Sequence, residues 1–155
     1  MEQEQKITVL YVDDEENNLI AFKATFRRDF TIFTAISAVV AKEILAENDI
    51  QVLITDQRMP VTTGSELLAQ AVQDYPDQIR ILLTGFSDID ALKDAINLGQ
   101  IYSYLQKPWN EDELRDTIKK AFEIYRIKKE KEELTGKLST SNEQLEFYLR
   151  QKLLS

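Results

Sequence analysis

The chain has 155 residues, of which 43% are hydrophobic and 30% charged, a composition typical of a folded protein rather than a disordered one. Its net charge of -8 argues against general nucleic-acid binding, which needs clustered lysine and arginine residues. The absence of cysteine and histidine excludes disulfides, zinc sites built on these residues and nucleophiles activated by a histidine base. Any bound metal must therefore have oxygen ligands, which favours magnesium or calcium.

The length is sufficient for one domain with a hydrophobic core and a modest extension. No apolar run approaches the roughly 20 residues of a membrane-spanning helix, and the chain does not open on a signal peptide. We therefore expect a cytoplasmic protein that does not interact with a membrane.

Strand and helix patterns alternate from the start of the chain. Residues 7–12 form a continuous apolar run, typical of a strand buried on both faces, and an amphipathic helix follows. A second strand is predicted at 31–35, and Ser37 is a suitable N-cap for a second helix. A third strand, which begins at Val52, leads directly into Asp56.

The alternation continues to the end of the chain. The remaining predicted elements are a helix capped by Thr63 and Glu66, a strand at 79–84, a helix from Ser87 or Asp88 to Gly99, a strand at 101–106 and a long helix capped by Asn110 and Glu113. Five strands alternating with helices through short connections are typical of an α/β fold with a doubly wound parallel sheet. We therefore expect a five-stranded parallel sheet followed by an extended C-terminal helix.

Polar side chains follow four of the five predicted strands. Asp13 and Asp14 follow the first strand, Asp56 the third, Thr84 the fourth and Lys107 the fifth. Because the carboxyl ends of parallel strands meet at one edge of the sheet, we expect these groups to converge. Three carboxylates repel one another unless a cation lies between them, and Mg²⁺ suits such a site. A hydroxyl and an ammonium group beside them would serve the oxygens of a phosphoryl group, with Asp56 as the nucleophile.

These motifs resemble the receiver domain of response regulators in bacterial two-component signalling. The resemblance extends over about residues 6–127 and implies a flavodoxin-like fold of the receiver type. We therefore predict a receiver domain at 1–127 and a signalling helix, or a linker to an output domain, at 128–155. The matching pieces, in order, are Val12-Asp13-Asp14-Glu15, Asp56-Gln57-Arg58-Met59-Pro60, Gly64, Leu83-Thr84-Gly85 and Tyr104-Leu105-Gln106-Lys107-Pro108-Trp109.

The resemblance implies a phosphoacceptor and a metal site. Asp56 would accept a phosphoryl group from a sensor histidine kinase or a phosphotransfer protein. Mg²⁺ would be the cofactor, and its ligands would be Asp13, Asp14, Asp56 and the backbone carbonyl of Arg58. The protein would catalyse only its own phosphoryl transfer and dephosphorylation, so it would not be an enzyme in the usual sense.

The resemblance also implies a set of switch residues. Thr84 and Lys107 would contact the phosphoryl group, Tyr104 would turn inward as Thr84 moves, and the bond from Lys107 to Pro108 would be cis. Two bulky residues, Arg58 and Phe86, occupy the family's variable positions near the site. Taken singly, the polar residues have simpler interpretations, since an aspartate after a strand is usually a turn or N-cap residue and Tyr104 could serve only in packing.

Two other functions stay open. One is a magnesium-dependent phosphohydrolase that uses Asp56 as its nucleophile, although Arg58 stands where a second acid/base aspartate would be expected. The other is a constitutive coiled-coil scaffold whose phosphorylation site is silent.

The final helix continues past the predicted domain in a heptad pattern. Its a and d positions are Ile124, Ile127, Leu134, Leu138, Leu145 and Tyr148, interrupted by Lys131 and Ser141. This pattern predicts a two-stranded coiled coil and a homodimer. One alternative is a tail folded back on the domain, and the other is a helix that breaks at Gly136 or begins afresh at the capping pattern of Thr140. We expect two copies to associate through this tail and through a face made by the fourth helix, the fifth strand and the fifth helix, which would also carry the signal to the tail.

Overall fold

The computed structural model describes residues 6–85 and 101–154, and for 138–140 and 153–154 it describes the backbone alone. The predicted fourth helix, from Ser87 or Asp88 to Gly99, lies outside these residues, as does Phe86. Among the helices that are described, none combines the length and apolar character required to cross a membrane.

Five parallel strands form a single sheet in the order β2-β1-β3-β4-β5. The strands are β1 (Thr8–Val12), β2 (Thr31–Ala35), β3 (Val52–Asp56), β4 (Ile79–Thr84) and β5 (Ser103–Gln106). The order reverses direction at β1, which is the topological switch point where ligands bind in open α/β sheets. The predicted doubly wound parallel sheet is therefore confirmed.

Burial distinguishes the central strands of the sheet from the edge strand β5. Every residue of β3 and β4 is buried, as an apolar run with covered faces requires. At the sheet edge, β5 alternates between half-buried and exposed residues. It begins at Ser103 rather than at Ile101 as predicted, because Ile101 is buried without belonging to the paired strand. The apolar pattern reports burial, whereas strand boundaries depend on pairing with the neighbouring strand.

Helices cover both faces of the sheet. The helices within the described residues are α1 (Glu16–Phe26), α2 (Ala38–Glu47), α3 (Gly64–Asp74) and α4 (Glu111–Leu154), the last being the helix counted fifth in the sequence. Core residues of α1 and of the first part of α4 belong to one hydrophobic cluster, and those of α2 and α3 belong to a second. The predicted N-caps of three helices are confirmed, since the side chains of Ser37, Thr63 and Asn110 accept hydrogen bonds from backbone N–H groups of the following helix.

The C-terminal helix, α4, is continuous, so the alternative of a break near Gly136 is not observed. The chain divides into two compact units, Met1–Tyr125 and Arg126–Ser155. In the first unit, Leu114 and Ile118 of α4 are fully buried in the core. In the second unit, the predicted core residues of the coiled coil that are described have exposed side chains, namely Ile127, Leu134, Leu145 and Tyr148. The coiled coil stays a prediction.

Candidate functional site

The predicted acidic residues meet at the carboxyl edge of the sheet. Strands β1 and β3 are hydrogen-bonded neighbours with Val12 opposite Thr55, so the residues that follow them come close together. Carboxylate oxygens of Asp13, Asp14 and Asp56 all lie within 4.8 Å of one another. Asp13 is fully buried and Asp56 is 8% exposed, whereas Asp14 faces solvent. Two buried carboxylates thus share a cluster with one that is open to water.

Lys107 supplies the positive charge at this edge. Its Nζ atom lies 3.0 Å from Oδ2 of Asp13 and 3.3 Å from Oδ1 of Asp56. The backbone N–H of Lys107 donates to the carbonyl oxygen of Thr84 at 2.9 Å, which fixes where the lysine leaves the sheet. The bond from Lys107 to Pro108 is cis, the isomer that the resemblance implies. The ammonium group therefore bridges two carboxylates that would otherwise repel each other.

Asp13 accepts hydrogen bonds from several further groups. Its Oδ1 accepts from the backbone N–H of Glu15 at 2.9 Å, and its Oδ2 accepts from the Tyr11 hydroxyl at 2.7 Å and from Nδ2 of Asn18 at 3.1 Å. The sequence interpretation missed Tyr11 and Asn18. The contact of Tyr11 could have been predicted, because a hydroxyl in a buried strand needs a hydrogen-bond partner and residues two apart share a face of the strand. The contact of Asn18 could not, since it depends on how α1 leaves the strand.

The electrostatic environments of the two buried carboxylates differ. Burial raises the pKa of Asp13, but hydrogen bonds from Glu15, Tyr11 and Lys107 outweigh it and leave the pKa below its usual value. Burial also raises the pKa of Asp56, and this effect, with repulsion from Asp13, exceeds the opposing attraction of Lys107. Burial lowers the pKa of Lys107, yet its contacts with both carboxylates raise it overall. Asp13 is thus stabilised as an anion, whereas ionised Asp56 is held at a cost.

Aromatic side chains connect this edge to the core. The Tyr11 ring stacks on Phe22 with centroids 4.3 Å apart, and Trp109 packs against Phe22 and Phe26 at 6.2 and 5.5 Å. A cleft of about 470 Å³ beside Lys107 is lined by Trp109 and Asn18 among others. Since the chain has a single tryptophan, the fluorescence of Trp109 reports on this edge of the sheet.

The remaining predicted site residues have mixed placements. Thr84 ends β4 at the same edge, fully buried, with Oγ1 donating to the carbonyl oxygen of Gly85 at 3.2 Å. Tyr104 lies on β5 with its side chain 39% exposed, so its inward movement stays a prediction. The side chain of Arg58 is exposed, and its backbone carbonyl as a metal ligand also stays a prediction.

Gly64 explains why a small residue follows the acidic strand end. A Cβ atom at Gly64 would clash with the backbone carbonyl oxygen of Asp56 and would lie 2.9 Å from Cδ1 of Leu82. The first turn of α3 therefore packs directly against the backbone of the residue at the centre of the site. This close approach positions the loop between β3 and α3.

The cluster is chemically suited to a small divalent cation. Its three candidate side-chain ligands are all carboxylates, and at least one is open to water. Mg²⁺ prefers oxygen ligands, commonly binds through one or two carboxylates, and retains several water molecules. The residues present therefore fit Mg²⁺.

Comparison with known proteins identifies relatives of the whole first unit. Residues 9–119 match the family model of the response regulator receiver domain. The hydrogenase transcriptional regulatory protein HoxA of Cupriavidus necator is 34% identical over 152 residues, which cover 98% of this chain but only 32% of HoxA.

Solved structures give the same result for the fold. A response regulator receiver domain protein from Clostridium thermocellum is similar with a TM-score of 0.74 and 31% identity, covering 78% of this chain and 98% of that one. A structure described as adenylate cyclase from Rhodopirellula baltica has a TM-score of 0.82 and 29% identity, covering 85% of this chain and 98% of that one.

Proposed function

Since the chain belongs to the response regulator receiver domain family, we propose that it accepts a phosphoryl group on Asp56 from a sensor histidine kinase or a phosphotransfer protein. One observation carries the proposal. Asp56 lies beside two further carboxylates, with the ammonium group of Lys107 3.3 Å from its Oδ1 atom. We also propose a cytoplasmic location, which is consistent with such a partner.

The proposed reaction needs little from the protein beyond positioning and charge. A carboxylate oxygen of Asp56 forms a bond to phosphorus as the bond between phosphorus and the donor histidine nitrogen breaks, and the imidazole leaves with the electron pair. Lys107 is already within hydrogen-bond reach of this carboxylate and would pair with a phosphoryl oxygen. The Thr84 hydroxyl, at the end of the neighbouring strand, would donate to another.

Asp13, Asp14 and Asp56 would hold Mg²⁺, together with the backbone carbonyl of Arg58. The bound ion would offset the negative charges of the carboxylates and of the incoming phosphoryl group. Asp13 is well placed for this role, because its hydrogen bonds keep it ionised and fixed.

The proposed output is a change in the C-terminal helix. Phosphorylation replaces the single negative charge of the Asp56 carboxylate with a phosphoryl group that carries about -1.5 to -2 charges. Rearrangement of Thr84 and Tyr104 around it would alter the face that includes β5 and the start of α4. We propose that this change shifts the association of two copies through the heptad positions of α4. HoxA is a transcriptional regulator, and a similar output would require residues beyond the matched region rather than nucleic-acid binding by this chain.

Labelling with acetyl phosphate tests the proposal. With Mg²⁺ present, we expect the intact mass of the wild-type protein to increase by one phosphoryl group, and Asp56→Asn to show no increase. Thr84→Ala is expected to label more slowly, since it keeps the nucleophile but removes a phosphoryl contact.

Two outcomes would favour the other functions. Absence of labelling in the wild type, with no effect of Asp56→Asn on association, would indicate a scaffold with a silent site. Multiple turnover of a small phosphoester such as para-nitrophenyl phosphate would indicate a phosphohydrolase.

A further inference from the structure

The connection between β3 and α3 is tied at both ends by one residue, Gln57. Its backbone N–H donates to the carbonyl oxygen of Leu83 at 3.0 Å, and its own carbonyl accepts from the N–H of Gly64 at 3.0 Å. Its side chain makes a second pair of bonds, because Oε1 accepts from the N–H of Ser65 at 2.8 Å and Nε2 donates to Oγ of Ser65 at 3.1 Å. Gln57 thus joins the strand that carries Asp56 to the first turn of the next helix.

The loop held by these bonds contains a strained turn. The N–H of Thr62 donates to the carbonyl oxygen of Pro60 at 2.8 Å, and Val61 between them has a φ of 70°. A three-residue turn with positive φ is rare, and it is unfavourable for a β-branched residue. Val61 is fully exposed, so its own side chain does not compensate for the strain. Such conformations persist only where the surrounding structure fixes them.

We propose that Gln57 is a positioning residue for the metal site. Its bonds to α3 hold the backbone of Asp56 and Arg58 in the geometry that a bound Mg²⁺ requires. Mg²⁺ demands near-ideal octahedral geometry, so a carbonyl ligand on a strained loop must be held in place by its neighbours. Groups outside the ligand set commonly influence metal affinity in this way. This inference rests on the proposed function, which assigns a metal ligand to Arg58.

A purely structural role would give a different result. Gln57 also satisfies a backbone N–H in the first turn of α3, and loss of such a bond lowers the stability of the fold. A capping role predicts a lower unfolding midpoint and an unchanged Mg²⁺ affinity of the folded protein. A positioning role predicts that the affinity falls as well.

The chain provides a matched control at the opposite end of the same strand. Gln51 precedes β3, and its Oε1 atom accepts a hydrogen bond from the backbone N–H of Thr8 at 3.0 Å. Residue type and bond type are therefore the same as for Gln57, but the location is the amino end of the sheet. Ser65→Ala is a milder test of the bonds between the Gln57 side chain and Ser65, since it removes the hydroxyl and keeps the N–H.

The experiment is a Mg²⁺ titration of the full chain, monitored through the fluorescence of Trp109 and by calorimetry. Circular dichroism checks that each variant is folded. We expect Gln57→Ala to raise the dissociation constant about 10-fold or more. Ser65→Ala should raise it less, and Gln51→Ala should leave it within about twofold of wild type while lowering the unfolding midpoint.

An unchanged dissociation constant for folded Gln57→Ala, or an equal increase for Gln51→Ala, would overturn the inference. If Gln57→Ala does not fold, Ser65→Ala serves as the test instead. An unchanged Mg²⁺ dissociation constant for Ser65→Ala would also overturn the inference. Failure of the proposed function looks different, because the wild type itself would then neither bind Mg²⁺ nor label with acetyl phosphate.

Discussion

The two buried carboxylates of the site sit in environments that shift their pKa values in opposite directions. Asp13 receives four hydrogen bonds, from Tyr11, Glu15, Asn18 and Lys107, whereas Asp56 has the ammonium group of Lys107 at 3.3 Å. The pKa of Asp13 is therefore lowered, and burial raises the pKa of Asp56. Environments that separate the pKa values of neighbouring acids are typical of functional sites, where each acid has a different task.

We expect Asp56→Asn to stabilise the metal-free protein by roughly 1 kcal/mol at pH 7, because it removes a charge that burial and neighbouring carboxylates disfavour. A raised pKa in the folded state means that the native protein binds the proton more tightly than the unfolded chain does. The wild type therefore loses stability as pH rises from the ordinary value of 3.8 through the raised pKa. The gain in stability from Asp56→Asn should therefore grow over the same pH range, as measured by urea unfolding in the presence of a chelator.

Asp13→Asn is the control with the opposite sign. Since the pKa of Asp13 is lowered, its ionised form contributes stability above the ordinary pKa, and this contribution is lost as pH falls through the lowered value. Asp13→Asn should therefore destabilise the metal-free protein at pH 7. Equal effects of the two substitutions would contradict the assignment of distinct environments.

At the residue scale, the sequence predicted which residues belong to the site better than it predicted the hydrogen bonds that these residues make. The positions of Asp13, Asp56 and Lys107 followed from strand ends, since parallel strands bring these ends together whatever the side-chain details. The hydrogen bonds of Asn18 and Gln57 could not be predicted in this way, because they depend on the entry angle of a helix. That angle results from packing across the whole core.

At the element scale, the sheet was predictable because its buried strands leave a continuous apolar pattern in the sequence. The predicted start of β5 was wrong, since burial of Ile101 continues beyond the paired strand. The continuity of α4 was left open by Gly136, whose cost is about 1 kcal/mol and is easily exceeded by the rest of a long helix. Local penalties of this size do not decide where long elements end.

Two glycine substitutions should have opposite effects. Gly64→Ala would force a Cβ against the backbone of Asp56, and we expect it to destabilise the fold by about 1–3 kcal/mol and to slow labelling by acetyl phosphate. Gly136→Ala would add a Cβ atom on an exposed part of α4, where no other atom lies within 4 Å. We expect this substitution to stabilise α4 by about 1 kcal/mol and to increase its helicity.

Circular dichroism during thermal and urea unfolding measures both effects. A stable Gly64→Ala protein with a normal labelling rate would show that the close approach of α3 to Asp56 is not required.

At the scale of the whole molecule, the heptad positions of α4 give a test of association. Lys131 would occupy an a position of the predicted coiled coil, among the exposed apolar residues Ile127 and Leu134. A charged residue in a coiled-coil core lowers stability while restricting register. We expect Lys131→Leu to strengthen dimerisation about 10-fold or more, as measured by sedimentation equilibrium. It should also weaken the dependence of dimerisation on beryllofluoride, which with Mg²⁺ mimics the phosphoryl group on Asp56.

Lys129→Leu is the matched control, since the same substitution falls at an f position on the other side of the helix. It should leave the dimer constant unchanged. Equal strengthening by both substitutions would show non-specific hydrophobic association rather than a coiled coil. Scattering profiles that stay the same with and without beryllofluoride would contradict coupling between the site and the tail.

The ammonium group of Lys107, in contact with both Asp13 and Asp56, would make metal binding at this edge an exchange reaction. An arriving divalent ion competes with a tethered cation whose local concentration is fixed by the fold. The Mg²⁺ affinity would then depend on how much more strongly the carboxylates attract Mg²⁺ than the Lys107 ammonium group. We therefore expect the Mg²⁺ affinity to be lower than the three carboxylates would give without Lys107 beside them.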